Sequence, residues 1–339
     1  MNPVRFGFLG AGWIAHRALA PAVHAADGAR LQAVAARDAA RAGELAPAGR
    51  TYADYRAVLD DPEVDVVYIS LSNEAHRPWT LEALEAGKHV LCEKPLGLDA
   101  AEVSQMLAAA KAADRLLVEA FWYRWHPRTR RLEQLLRQGA LGPVQQVEAE
   151  FCFDGGDDPR MAGNFRLDPA RGGGGLYDVG CYAISAAHLA LGPDLAVERA
   201  QARFGPTGVD LAATVWLTAG STDPTTDATA EPTAEPTGRA EVRCGIAEPD
   251  RQGLRVAGVA AAVDFATGEA FTSWHQASSL TISTPDGAVR VEEFAPVDPY
   301  RLMVEAVASR VRGEDAYLVG DGHSRQVATT LDAVRTTVA

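Results

Sequence analysis

Arg5-Phe6-Gly7-Phe8-Leu9-Gly10-Ala11-Gly12-Trp13-Ile14-Ala15 is a short apolar run that breaks into a glycine turn and then takes up helical spacing. A buried strand, a tight turn and a helix start in that order form a candidate phosphate cradle. Gly10 permits the turn after the strand, and Gly12 lets the backbone approach a pyrophosphate closely. Ala15 is small enough for helix and strand to pack together. Trp13 and Ile14 open the helix, whose first amides would face the phosphate. A lone G-x-G-x-x-A turn is common in α/β proteins, so its meaning depends on the residues that follow.

Residues 13–26 continue with helical spacing interrupted by Pro21, and 31–36 return as a second apolar strand. This β-α-β length suits a mononucleotide-binding half, in which the residue after the second strand discriminates between cofactors. An acidic residue there would accept hydrogen bonds from the ribose 2′-hydroxyl of NAD. Here it is Arg37, which could hold a 2′-phosphate and stack on adenine, so NADP is expected, with NAD the alternative. Arg17 and Arg41 have weaker claims on the same phosphate.

Residues 52–59 read as a helical piece and 64–70 as a buried parallel strand. The loop after it carries Ser70, Asn73 and His76, candidates for contact with ribose or nicotinamide. Open α/β sheets bind ligands at the carboxyl ends of their strands. Asn73 could equally cap the helix expected over 78–86. A further strand, 88–92, delivers Glu93-Lys94-Pro95 at its carboxyl end. A lysine there can exchange a proton with a substrate hydroxyl once burial or a neighbouring cation lowers its pKa. Pro95 fixes the turn, and a cis bond before it would aim Lys94.

With 339 residues, 47% of them hydrophobic, the chain can build two cores. Its formal charge of -13, from 32 Lys+Arg against 45 Asp+Glu, repels nucleic acid and anionic membrane surfaces. Cys92, Cys152, Cys181 and Cys244 form no C-x-x-C pair, so reduced buried thiols are expected, with neither a redox pair nor a metal site. No apolar run reaches the roughly 18 residues of a membrane helix. Gly7, Gly10, Gly12, His16 and Arg17 interrupt the leader-like N-terminus, so a cytoplasmic protein is expected.

Taken together, Gly10-x-Gly12-x-x-Ala15, the loop 70–76 and Glu93-Lys94-Pro95 resemble the Gfo/Idh/MocA family, the relatives of glucose-fructose oxidoreductase and inositol dehydrogenase. The resemblance implies an α/β fold in two parts. Residues 1–120 would form a Rossmann domain with a doubly wound parallel sheet that binds NADP. Residues 121–339 would form an α+β domain with a large, mostly antiparallel open sheet for substrate and oligomerisation. It also makes Lys94 catalytic, with Glu93 beside the cofactor. Glu119-Ala120-Phe121-Trp122-Tyr123-Arg124-Trp125-His126-Pro127 is similar to the dihydrodiol dehydrogenase and NADP-dependent xylose dehydrogenase branch. By that similarity Trp122 would line the substrate pocket and Arg124 would face the cofactor.

In the second part, 144–153 alternates as a half-exposed strand, and Phe151, Phe153 or Arg166 of the following loop could reach a ligand. Asp178 and Tyr182 stand four residues apart, on one face of a helix expected to run to Leu191. They fit the family pattern D-x-G-x-Y, in which Tyr182 would exchange the proton, Lys94 would lower its pKa and Asp178 would orient a neighbouring hydroxyl. Strands are expected over 195–204, 211–217, 239–246, 253–265, 270–274, 279–283 and 288–294, with closing helices over 299–312 and 323–338. The tract 219–238, rich in Thr, Pro, Glu, Asp and Ala, lacks apolar residues to bury and is expected to be a disordered insertion. Trp274 or His275 could close the pocket, but packing in a core or interface is expected.

The function implied is hydride transfer between NADP(H) and a hydroxyl or carbonyl carbon of a sugar, cyclitol or cyclic diol. Pairing of the open sheet would give a homodimer or higher homo-oligomer. Two other classes share the fold: redox-neutral glycoside hydrolases that keep a bound NAD, and cofactor-sensing regulators without activity. Arg37 argues against the first, and the Lys94, Asp178 and Tyr182 set argues against the second.

Overall fold

The computed structural model describes residues 2–155, 161, 163–220, 238–265 and 269–338. The expected insertion therefore lies almost wholly outside the described residues. The chain divides into two compact units, Met1–His126 with Val297–Arg325, and Pro127–Pro296 with Gln326–Ala339. Against the expected division after residue 120, the aromatic stretch 121–126 and the segment 297–325 belong to the first unit. The last helix, Asp321–Val338, contributes to both.

The first unit is built on β1 (Val4–Leu9), β2 (Ala29–Ala35), β3 (Arg50–Tyr52), β4 (Val66–Ile69), β5 (His89–Cys92) and β6 (Leu117–Glu119). Every pairing between them is parallel, in the order β3-β2-β1-β4-β5-β6. Near-continuous burial of β1 and β4 reflects helices on both faces, which demand apolar residues at consecutive positions. This is the doubly wound order, whose direction reverses between β1 and β4. Gly10 and Ser70 follow the carboxyl ends of these two strands.

Most elements stand within one to three residues of the expected bounds. The helix after β1 is divided into a widened turn, Ala15–Leu19, and an α-helix, Ala20–Ala25, with Pro21 in its first turn. Pro21 has no amide to offer the preceding turn, and the helical run continues past it directly after the widened turn. Asp99 caps Ala100–Ala113 by accepting the Glu102 amide at 2.7 Å. Other expectations fail. Residues 50–52 form the short edge strand β3 where a helical piece is expected to begin at 52, and the helix covers only Tyr55–Leu59. Asn73 does not cap the following helix, which starts at His76 directly after Ala75. Residues 270–274 form a turn instead of a strand.

The second unit carries β7 (Val144–Asp154), β8 (Leu195–Phe204), β9 (Asp210–Ala219), β10 (Arg239–Gly245), β11 (Ala247–Gly258), β12 (Ala262–Asp264), β13 (Ser278–Ser283) and β14 (Val289–Phe294). The expected single strand 253–265 is two strands, β11 and β12, folded back on each other. The order is β14-β13-β12-β11-β7-β10-β9-β8, antiparallel throughout except for the parallel pair β7 and β10. Val147, Ala149 and Phe151 of β7, Val215 and Leu217 of β9, and Ala240 and Val242 of β10 are buried. They alternate with polar residues such as Glu148, Thr214 and Arg243, the period-two pattern of a sheet with one covered face. The helix Cys181–Leu191 packs against β7 and β10.

Candidate active site

In the first unit the glycine turn is fixed by its neighbours. The Gly10 amide donates to the Ala35 carbonyl at 2.9 Å, and the Ser70 amide donates to the Leu9 carbonyl at 3.0 Å. Gly10 adopts φ +99°, and a Cβ there would lie 2.9 Å from the Ser70 carbonyl oxygen, so only glycine fits. Around Gly12 the nearest atom to an added Cβ is that same oxygen at 3.8 Å. None of the described residues needs Gly12 to be bare, and its openness suits a ligand backbone passing outside. Trp13 is exposed and Ile14 half-buried at the mouth of this cradle. The cradle, the first amides of the helix and the basic residues beyond β2 fit a dinucleotide.

Those basic residues are Arg37, exposed just beyond β2, and Arg41. The Arg41 guanidinium donates to the Ala11 carbonyl at 2.6 Å. Arg41, given only a weak claim by the sequence, is thereby brought to the glycine turn. No spacing rule would have found that contact, because it spans 30 residues.

The lysine turn is locked from several sides. The Lys94-Pro95 bond is cis. His76 is fully buried, its Nδ1 2.8 Å from the Pro95 carbonyl and its Nε2 3.2 Å from the Leu71 carbonyl. Burial lowers its pKa despite these two acceptors, so a neutral ring ties the 71–76 loop to the lysine turn. Glu93 is buried, and its Oε1 accepts the Tyr68 hydroxyl at 2.8 Å. Burial and then the Glu93 charge push the Tyr68 phenol well above its usual range, which keeps it a donor. Lys94 itself is half-buried.

The aromatic stretch packs within the same unit. Trp122 is buried and stacks on Tyr300 with ring centroids 4.3 Å apart and planes at 19°. Arg124, also buried, places Nη2 3.2 Å from the Tyr317 hydroxyl and Nη1 3.3 Å from His323 Nε2. Tyr300, Tyr317 and His323 come from the 297–325 segment, which no local pattern ties to residue 122 or 124.

In the second unit, Leu176–Gly180 is a widened turn continued by Cys181–Leu191. Asp178 and Tyr182 are both buried. Asp178 Oδ2 accepts from Arg166 Nε at 2.6 Å, so the structure brings together two expected site residues from separate segments. Tyr182 lies against Phe151, at 5.4 Å between centroids, and Phe271, at 6.0 Å; the two phenylalanines stack at 5.8 Å. Phe153 is half-buried at the end of β7. Phe271 was missed because its turn reads as a strand in the sequence.

The start of this helix is held by Asp210, the first residue of β9. Its Oδ2 accepts the Leu176 amide at 2.6 Å. Gly174, at φ +115°, leaves only glycine's space, since an added Cβ would lie 2.1 Å from Asp210 Oδ1. Burial pushes the Asp210 carboxyl up to about 6, against the opposing effect of the backbone amides it accepts. Its one sequence signal is an acid opening an otherwise apolar strand.

Among the described residues no group of His, Cys, Asp and Glu side chains could hold a metal, and no helix is long and apolar enough to cross a membrane. All four cysteines are buried, and none is in a disulfide.

The family model described as "Oxidoreductase family, NAD-binding Rossmann fold" matches residues 4–121, and the "GFO/IDH/MocA C-terminal domain" matches 129–244. The chain belongs to the Gfo/Idh/MocA oxidoreductase family. It is similar to "D-xylose 1-dehydrogenase (NADP(+)) 2" of Haloferax volcanii, 35% identical over 337 residues that cover 97% of this chain and 95% of the relative. It is 39% identical to trans-1,2-dihydrobenzene-1,2-diol dehydrogenase of Mus musculus over 189 residues, 55% of each chain. The 3-ketoreductase KijD10 of Actinomadura kijaniata, solved with NADP and TDP-benzene, superposes with a TM-score of 0.85 at 28% identity, covering 99% of this chain and 98% of that one. The Gfo/Idh/MocA assignment makes the chain an oxidoreductase with an NAD-binding Rossmann fold, related to sugar and diol dehydrogenases and to ketoreductases.

Proposed function

We propose that this oxidoreductase transfers a hydride between NADP(H) and a hydroxyl or carbonyl carbon of a sugar, cyclitol or cyclic diol. The observation that carries the cofactor reading is the basic pair beyond β2. Arg37 stands where an NAD enzyme places an acid, and Arg41 reaches the glycine turn itself. The xylose dehydrogenase and the ketoreductase, both associated with NADP by name, support it. The substrate class follows the same relatives and the dihydrodiol dehydrogenase.

When bound, the nicotinamide supplies or accepts the hydride. The amides after Gly10 and Gly12 hold the pyrophosphate, with Trp13 and Ile14 at its edge. Arg37 and Arg41 hold the 2′-phosphate, Ser70, Asn73, His76 and Glu93 shape the nicotinamide end, and Arg124 supports the cofactor side through Tyr317 and His323. Tyr182 exchanges the proton of the reacting hydroxyl, and the Lys94 ammonium favours the phenolate. Asp178, held by Arg166, orients a neighbouring hydroxyl. Trp122, Phe151 and Phe153 present ring faces to the apolar C–H side of a cyclic substrate. The polar face of the second sheet serves for pairing of two copies in a homodimer or higher homo-oligomer.

The test is a dehydrogenase screen of sugars, inositols and diols with NADP and NAD in parallel, repeated with Lys94→Ala. Turnover with NADP in the native protein and its loss in the variant, with NADPH binding retained, are expected. Undiminished turnover in Lys94→Ala would remove the lysine from the chemistry.

A further inference from the structure

The first unit buries another carboxyl against the lysine turn. Glu119 ends β6, where it pairs in register with Cys92, two residues before Lys94. It is 5% exposed, and its Oε1 accepts the Leu96 amide at 2.8 Å, two residues beyond Lys94. The Lys94-bearing turn is thus gripped from both ends: the Ala120 amide donates to the Cys92 carbonyl at 2.8 Å, and the Leu96 amide ends on Glu119. Glu119 Oε2 is buried as well, and the side-chain hydroxyl that acts on the carboxyl is that of Ser324.

Burial disfavours a carboxylate against its neutral form. Four groups act on it besides the Leu96 amide. The Lys94 ammonium and the Ser324 hydroxyl of the last helix favour the charge, Glu93 opposes it, and the Cys92 thiol beside it is held protonated by burial. Burial prevails, and the Glu119 carboxyl is pushed up to about 7. The charge beside Lys94 therefore changes within the neutral range.

We propose that Glu119 is a positioning residue for Lys94: by accepting the Leu96 amide it fixes the lysine turn, and in its ionised form it holds the lysine ammonium protonated to higher pH. The proposal rests on the reading of Lys94 as the group that supports proton transfer. Glu119 needs no contact with substrate for either role. Its chemistry is that of an opposite charge in a desolvated setting, where one neighbouring charge moves a pKa by one to three units.

Glu119→Gln separates the two roles, because the amide oxygen can still accept from Leu96 while the charge is gone. kcat/KM for carbonyl reduction with NADPH is measured across pH for the native protein, Glu119→Gln, Glu119→Ala and Lys94→Ala. NADPH affinity is followed by fluorescence. The basic limb of the profile should move to lower pH by about one unit in Glu119→Gln, with NADPH affinity unchanged. Glu119→Ala, which also frees the Leu96 amide, should lose at least tenfold more in kcat than Glu119→Gln; if it fails to fold, Glu119→Gln alone carries the test. A Glu119→Gln profile that superposes on the native one, while Lys94→Ala is inactive, overturns the role of Glu119 and leaves that of Lys94 standing. Turnover retained by Lys94→Ala overturns both.

Discussion

Replacing Asp210 by Asn should change how the stability of the protein depends on pH. Asp210 holds the start of the helix that carries Asp178 and Tyr182. Its folded-state carboxyl titrates at about 6 against a reference of 3.8, so the folded protein binds a proton more tightly there than the unfolded chain does. A raised acid contributes stability that is complete below the unfolded pKa and is lost as pH rises through the folded one. The shift of about two units corresponds to about 3 kcal/mol in all, of which about 2 kcal/mol falls between pH 4.5 and pH 8. Asn cannot titrate, so the stability difference between native protein and Asp210→Asn should move by about 2 kcal/mol over that interval, with the native protein gaining relative stability toward the acid end. At pH 8 the sign is set by another effect. Backbone amides of 175 and 176 both act on the carboxylate; Asn offers one carbonyl oxygen to them and sets its own N–H against the other, a loss on the order of 1 kcal/mol. The assay is urea unfolding of both proteins at half-unit steps of pH, followed by tryptophan fluorescence. Parallel curves across the interval would refute the assignment of a proton to Asp210 near pH 6.

Two further outcomes test the site directly. Arg37→Ala should raise KM for NADP by about 10- to 100-fold, the loss expected for charge-assisted contacts to a phosphate, while KM for NAD changes little; steady-state kinetics with both cofactors decide it, and equal losses for both would take Arg37 off the 2′-phosphate. Arg166→Ala leaves the buried Asp178 carboxylate without the guanidinium it accepts from at 2.6 Å, so kcat should fall by about 10- to 100-fold. Arg166→Lys, which restores charge without the planar fork, should recover only part of that loss, and full activity in the alanine variant would show that Asp178 needs no such partner.

What the sequence made legible follows from how far each constraint reaches along the chain. The parallel sheet was readable because β1, β4 and β5 are apolar at successive positions and each ends in a glycine, serine or acidic turn. β3 was not, because two exposed residues and a half-buried tyrosine at a sheet edge carry no such pattern. The Glu93-Lys94-Pro95 turn and the Asp178-x-x-x-Tyr182 spacing are local, and so were visible. The groups that hold them are not. His76 reaches Pro95 across 19 residues, Glu119 reaches Leu96 across 23, and Asp210 reaches Leu176 across 34.

These three supports share a physical form: a buried side chain meets a backbone group at the base of a segment that carries a chemical residue. Backbone groups are the same at every residue, so no side-chain pattern at Pro95, Leu96 or Leu176 announces its partner. What the sequence does display is the space left for the partner. The run Gly172-Gly173-Gly174-Gly175 directly precedes the helix, and Gly174 is bare because the Asp210 carboxylate occupies the position of its Cβ. A glycine run directly before a helix that carries chemical residues is therefore better read as room for a buried carboxylate than as slack. Here that carboxylate sets where the helix begins, and through the helix where Tyr182 stands.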